Sequence, residues 1–171
     1  MKNIAILGAG WLGKSLALHF QEKKHFVKVS VRSQQKVSDL KALNINAHQL
    51  KIEEDKIIGE RSFFDSVDVL IVSLTPQSTE IFKTLITEIE TNNIKKVILF
   101  SSTGIYTDCK GLVNEESMLQ LEIPKVKLLK DIEMLFLYNS SFETTVLRLA
   151  GLMGKNRHPV TFLAKKNQIE D

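Results

Sequence analysis

The run Leu7-Gly8-Ala9-Gly10-Trp11-Leu12-Gly13 has the glycine spacing of a loop that holds a pyrophosphate. It leaves the apolar run Ile4 to Leu7 and opens a helical pattern carrying Leu12, Leu16 and Phe20, so it reads as strand, turn, helix. Gly8 permits the tight turn, Gly10 removes a Cβ that would block a pyrophosphate, and Gly13 lets the helix lie close to the strand. Trp11 and Leu12 stand at the helix start, where free N–H groups and the positive end of the macrodipole favour anionic oxygen. The chemistry is dinucleotide binding.

The other candidates lie where further apolar runs end. The second run closes on Ser30-Val31-Arg32-Ser33, where an NAD site usually carries an acidic residue for the ribose hydroxyls. Arg32 offers a planar donor fork and Ser33 a hydroxyl, which suits a 2′-phosphate and predicts NADP as cofactor. NAD is the alternative, with Arg32 stacked beside an adenine. Ser73 and Leu74 end the fourth run. Ser101-Ser102-Thr103-Gly104-Ile105-Tyr106 follows the fifth. Ser102 is either a hydroxyl that polarises a substrate or a strand-end serine bonding the loop backbone. Tyr106 and Lys110 have Tyr-x-x-x-Lys spacing, but Thr107, Asp108 and Gly111 argue for a turn rather than the helical turn that would align them. Cys109 has no histidine near it in sequence and reads as a loop thiol. A GxSxG elbow is absent, against an acyl-transfer hydrolase, and no metal site is read.

The elements that must position these residues alternate between short β-branched runs and helical stripes. Strands are predicted at Asn3 to Leu7, Phe26 to Val31, Ala47 to Leu50, Asp68 to Ser73, Lys96 to Phe100 and Thr144 to Leu149. Ile81, Leu85 and Ile89 mark one helix stripe, and Val126, Leu129, Ile132 and Phe136 another, behind Pro124 at the first helical position. The pattern predicts an α/β fold: a doubly wound parallel sheet in three α/β/α layers, the NAD(P)-binding Rossmann architecture, as one domain over residues 1–171. Ligands in such sheets bind beyond the strand carboxyl ends, at the switch point between the first and fourth strands.

A net charge of +3 is mild and the lysines are scattered without interleaved aromatics, which argues against nucleic-acid binding. No export signal or membrane span is read, and one cysteine, Cys109, fits a reducing cytoplasm.

Three segments in order resemble the extended short-chain dehydrogenases, the NAD-dependent epimerase/dehydratase family. They are the glycine loop, Ser101-Ser102-Thr103-Gly104-Ile105-Tyr106, and Leu147-Arg148-Leu149-Ala150-Gly151-Leu152-Met153-Gly154. Arg157-His158-Pro159 places the chain nearest an atypical bacterial branch of epimerases and oxidoreductases. The resemblance implies that Ser102, with Thr103 beside it, polarises a substrate hydroxyl or carbonyl. It implies a Tyr-x-x-x-Lys pair on the next helix, the lysine lowering the tyrosine pKa. The best register puts Val126 at the tyrosine position and Lys130 at the lysine position, which implies weakened proton transfer. Tyr106 lies beside the substrate pocket by this resemblance. Arg157 and His158 either line that pocket or belong to a tail. Full-length members continue into a substrate-binding half, so the expectation is a C-terminally truncated dinucleotide-binding half. Its uncovered apolar face would favour a homo-oligomer. The implied function is NADP-linked epimerase, dehydratase or oxidoreductase chemistry on a small substrate, or a dinucleotide-binding module without turnover.

Overall fold

The computed structural model describes residues 1–154, 157, 158 and 160; Pro159 lies outside the described residues. Seven strands form one sheet: β1 (Asn3–Leu7), β2 (Phe26–Val31), β3 (Asn46–Ile52), β4 (Ile57–Gly59), β5 (Val69–Val72), β6 (Lys96–Ser102) and β7 (Glu143–Leu149). Their order is β4-β3-β2-β1-β5-β6-β7. Neighbours are parallel except the pair β3–β4. The chain therefore winds outward from β1 through β2 and β3, then crosses back to β5, and the switch point falls between β1 and β5. The six parallel strands correspond to those expected from sequence. The antiparallel edge strand β4 was not anticipated, because three residues are too few to show an alternation.

Among the described residues the helices α1 (Trp11–Glu22), α2 (Gln34–Lys41), α3 (Thr79–Thr91) and α4 (Pro124–Leu137) complete the layers. Strand side chains alternate between faces, so β1 sends Ala5 and Leu7 to one core and Ile4 and Ile6 to the other. The first core takes Phe82, Leu85 and Ile89 from α3 and Ile132 and Phe136 from α4. The second takes Ala17 from α1 and Val37 and Leu40 from α2. Pro124 starts α4 as expected, where its missing N–H costs no helical bond. Ser78 caps α3 by accepting from the Ile81 N–H at 3.4 Å.

On the α1 side of β7, Leu147 remains 42% exposed. Among the described residues no helix is long and apolar enough to cross a membrane.

Candidate functional site

The glycine loop is held from three sides. The Ala9 N–H donates to the Ser30 carbonyl at 2.8 Å, and the Gly8 N–H donates to Ser30 Oγ at 3.1 Å. The Ser73 N–H donates to the Leu7 carbonyl at 2.8 Å. These bonds tie the ends of β1, β2 and β5 into one rim. Gly8 has φ +102°, and a Cβ there would lie 2.6 Å from the Ser73 carbonyl oxygen. A Cβ at Gly13 would overlap the Gly8 carbonyl oxygen. Gly10 differs: a Cβ there would meet no heavy atom within 4 Å. The first and last glycines are thus required by the protein's own packing, while Gly10 faces open space at the start of α1.

That space belongs to a groove of about 470 Å³ running from Gly8 and Gly10 past Arg32 and Ser33 to Lys36 and Lys51. Among the described residues no aspartate or glutamate lines it. Ser33 is the residue before α2 and its hydroxyl makes no capping bond, although its type and place suit one. Lys51 is partly neutralised by Glu53 at 2.6 Å. Trp11 lies under the segment after β7: a Cβ at Gly154 would come 2.8 Å from the indole, and the Arg157 guanidinium sits 5.0 Å from a Trp11 ring centroid. Arg157 therefore stacks on the α1 start, and neither it nor His158 lines the groove.

A second cavity, of about 420 Å³, shares Ser73, Leu74 and Thr75 with the groove and extends to the end of β6. Leu12, Phe100, Leu128 and Leu149 give it apolar walls, and Ser102 and Lys125 supply polar atoms. Ser102 Oγ accepts from the Gly104 N–H at 3.0 Å, so the local backbone bond expected of a strand-end serine is present in a residue that also lines the cavity. Thr103 turns its hydroxyl to the Leu149 carbonyl at 3.4 Å and does not line the cavity.

Helix geometry decides which lysine reaches this space. Lys125, Leu128 and Leu129 line the cavity. Lys130 is five residues beyond Lys125, about 140° round the helix, and lines neither space. Val126 is fully buried against Ile105 and Leu129, with Tyr106 packed at the edge of that cluster. The register that pairs Val126 with Lys130 thus has its first residue in this cluster and its second outside both spaces. Sequence reasoning missed Lys125, although the buried stripe beginning at Val126 fixes the face on which its neighbour stands.

Beneath the cavity lies a polar network. Ser101 and Arg148 are register partners across β6 and β7, so they lie side by side under α4. Ser101 Oγ donates to Glu133 Oε1 at 2.5 Å, and Arg148 donates to the same carboxylate through Nε at 3.1 Å and Nη2 at 2.7 Å. Arg148 Nη1 donates to the Tyr106 hydroxyl at 2.6 Å, and the guanidinium lies 5.2 Å from the tyrosine ring centroid. The bonds to Glu133 raise the Arg148 pKa above its ordinary value despite burial, with a further contribution from Tyr106. Tyr106 is thereby committed to a structural network, and neither tyrosine of the chain lines the second cavity.

An open α/β sheet with a glycine loop at its switch point, a space over Gly10 and a cation-lined groove beyond it defines a dinucleotide-binding protein. The chain belongs to the NAD(P)H-binding family, whose model matches residues 8–171. It is 28% identical to protein YeeZ of Escherichia coli (strain K12), with 97% of this chain aligned and 64% of that protein. The chain thus spans 64% of the length of that curated relative. Among solved structures it resembles a conserved protein of unknown function from Silicibacter pomeroyi DSS, at TM-score 0.79 and 20% identity over 98% of this chain and 59% of that one. It also resembles UDP-glucuronic acid 4-epimerase from Bacillus cereus, solved in complex with NAD, at TM-score 0.71 and 15% identity over 92% and 59% of the two chains. These two likenesses, at 20% and 15% identity, show the fold that the chain shares with those proteins.

Proposed function

We propose that this chain binds NADP(H) along the switch-point groove and presents it to a small hydroxyl- or carbonyl-bearing substrate in the second cavity. Its chemistry would be that of an oxidoreductase or epimerase with altered proton-transfer machinery. One observation carries the reading: the groove that opens over Gly10 ends on Arg32, Ser33 and Lys36, with no carboxylate among the described residues that line it. A 2′-phosphate would find charge-assisted donors there, whereas the acidic residue that favours NAD is missing.

The residues fit the cofactor. Gly8, Gly10 and Gly13, with Trp11 and Leu12 at the start of α1, would hold the pyrophosphate, and a side chain at Gly10 would fill the space it needs. Ser73 and Leu74 border both spaces and would flank the nicotinamide half. When bound, the dinucleotide supplies hydride transfer. Ser102 would orient the substrate oxygen by donating its hydroxyl proton to it, since Oγ already accepts from Gly104.

A second reading, a dinucleotide-binding module without turnover, is favoured by the absence of a tyrosine from the second cavity and by the burial of Val126. Arg32→Ala tests the cofactor assignment. It is expected to weaken NADPH about ten- to hundredfold and leave NADH within a factor of about two, on the usual size of a charge-assisted hydrogen bond. Equal weakening of both would contradict the NADP assignment. NADPH consumption over a panel of carbonyl compounds, lost in Ser102→Ala with binding intact, separates enzyme from binding module.

A further inference from the structure

We propose that the second cavity selects a substrate with an apolar body and a carboxylate, and that Lys125 is the residue that recognises the carboxylate. The inference rests on reading this cavity as the substrate side of the dinucleotide site.

Three observations support it. First, Lys125 Nζ and Ser102 Oγ each lie 3.2 Å from the point a Cβ would occupy at Gly104. An ammonium and a hydroxyl thus both pack close to Gly104, and both border the cavity. Ser102 Oγ accepts from the Gly104 N–H, which leaves its proton to donate outward. Two donors therefore stand at one end of the same cavity, which suits an acceptor with more than one oxygen.

Second, Lys125 is solvent-exposed at the cavity edge and carries no protein counter-charge among the described residues. No aspartate or glutamate among them lines the cavity. Lys127, two residues on, is neutralised on the outer face of α4 by Asp131 at 2.7 Å.

Third, the remaining walls are largely apolar: Leu12, Phe100, Leu128, Leu129 and Leu149. Apolar walls lower the local dielectric and strengthen an ion pair formed at their edge. They also exclude a strongly hydrated inorganic anion in favour of one attached to a hydrophobic body.

The test uses phenylpyruvate and its neutral counterpart phenylacetone, in which a methyl group replaces the carboxylate, titrated calorimetrically into the protein. NADP⁺ is present or absent, and the oxidised cofactor prevents turnover of a ketone. Phenylpyruvate is expected to bind saturably, at least tenfold more tightly than phenylacetone. Lys125→Met should remove that preference by lowering phenylpyruvate affinity about ten- to hundredfold, the usual size of one charge-assisted bond. Lys125→Arg should restore most of it, and Lys127→Met should leave both affinities unchanged. Equal binding of the two probes, an unaffected Lys125→Met, or an equal loss in Lys127→Met would overturn the proposal. So would failure of phenylpyruvate to bind while NADP⁺ binds. Binding of phenylpyruvate without any binding of NADP⁺ would instead overturn the functional reading on which this one rests.

Discussion

The Glu133 carboxylate is 1% exposed and receives a forked pair of hydrogen bonds from Arg148, at 2.7 Å from Nη2 and 3.1 Å from Nε. The pair joins the middle of α4 to β7, and Ser101 brings β6 onto the same carboxylate. It therefore fixes the strand end that carries Ser102 relative to the helix that carries Lys125.

Arg148→Ala leaves that carboxylate buried without its counter-charge. A loss of about 3–5 kcal/mol of stability is expected, read as a lower urea midpoint with an unchanged slope. Replacing both partners, as Glu133→Leu with Arg148→Met, should recover most of the loss, because the desolvation cost disappears with the charges.

Tyr106 hydrogen-bonds through its hydroxyl to Arg148 and stacks under the guanidinium. Tyr106→Phe retains the stacking and removes the bond. It should cost about 1.5–3 kcal/mol, the range for a bond to a charged group, while NADPH affinity stays that of the parent. A large loss of turnover without loss of stability would show that the hydroxyl has a chemical role.

The three glycines of the loop should separate cleanly. Gly8→Ala and Gly13→Ala force a Cβ onto backbone carbonyl oxygens and should destabilise the fold by more than about 1 kcal/mol. Gly10→Val meets no protein atom within 4 Å of its Cβ, so it should melt near the parent while losing the dinucleotide. Thermal melts and NADPH binding on the same three variants check both halves.

His48 on β3 packs edge-on against Phe63 and has Nδ1 3.2 Å from Glu60 Oε2. Burial lowers its pKa, and the attraction of Glu60 only partly offsets that. With the folded pKa below the unfolded value of 6.5, the contribution to stability is complete above about pH 6.5 and is lost as pH falls below it. His48→Gln should flatten that part of the stability profile between pH 7 and pH 5, measured by urea unfolding. An unchanged profile would place the titrating group elsewhere.

Much of the fold was legible because its strands are short apolar runs separated by amphipathic helices, and Gly8 to Gly13 sits where such a sheet binds ligands. The stripe from Val126 to Phe136 gave α4 and its buried face. Strand β4 was not legible, since its pairing depends on the backbone of β3 rather than on a local pattern. The site was harder. A motif register aligned Lys130 with a familiar spacing, but which lysine borders the cavity beside Ser102 depends on the rotation of α4 about its axis, set by burial of Val126 and Leu129. The Ser101–Glu133–Arg148 network unites residues from β6, α4 and β7 whose proximity only the sheet register reveals.

The most direct test of the account is a titration of the parent and Gly10→Val with NADPH and NADH, followed by fluorescence of Trp11, the one tryptophan, at the start of α1. The account predicts saturable quenching in the parent, tighter with NADPH than with NADH, and none in a folded Gly10→Val. Equal NADPH binding by the two proteins, or no saturable change in the parent with either nucleotide, would contradict it.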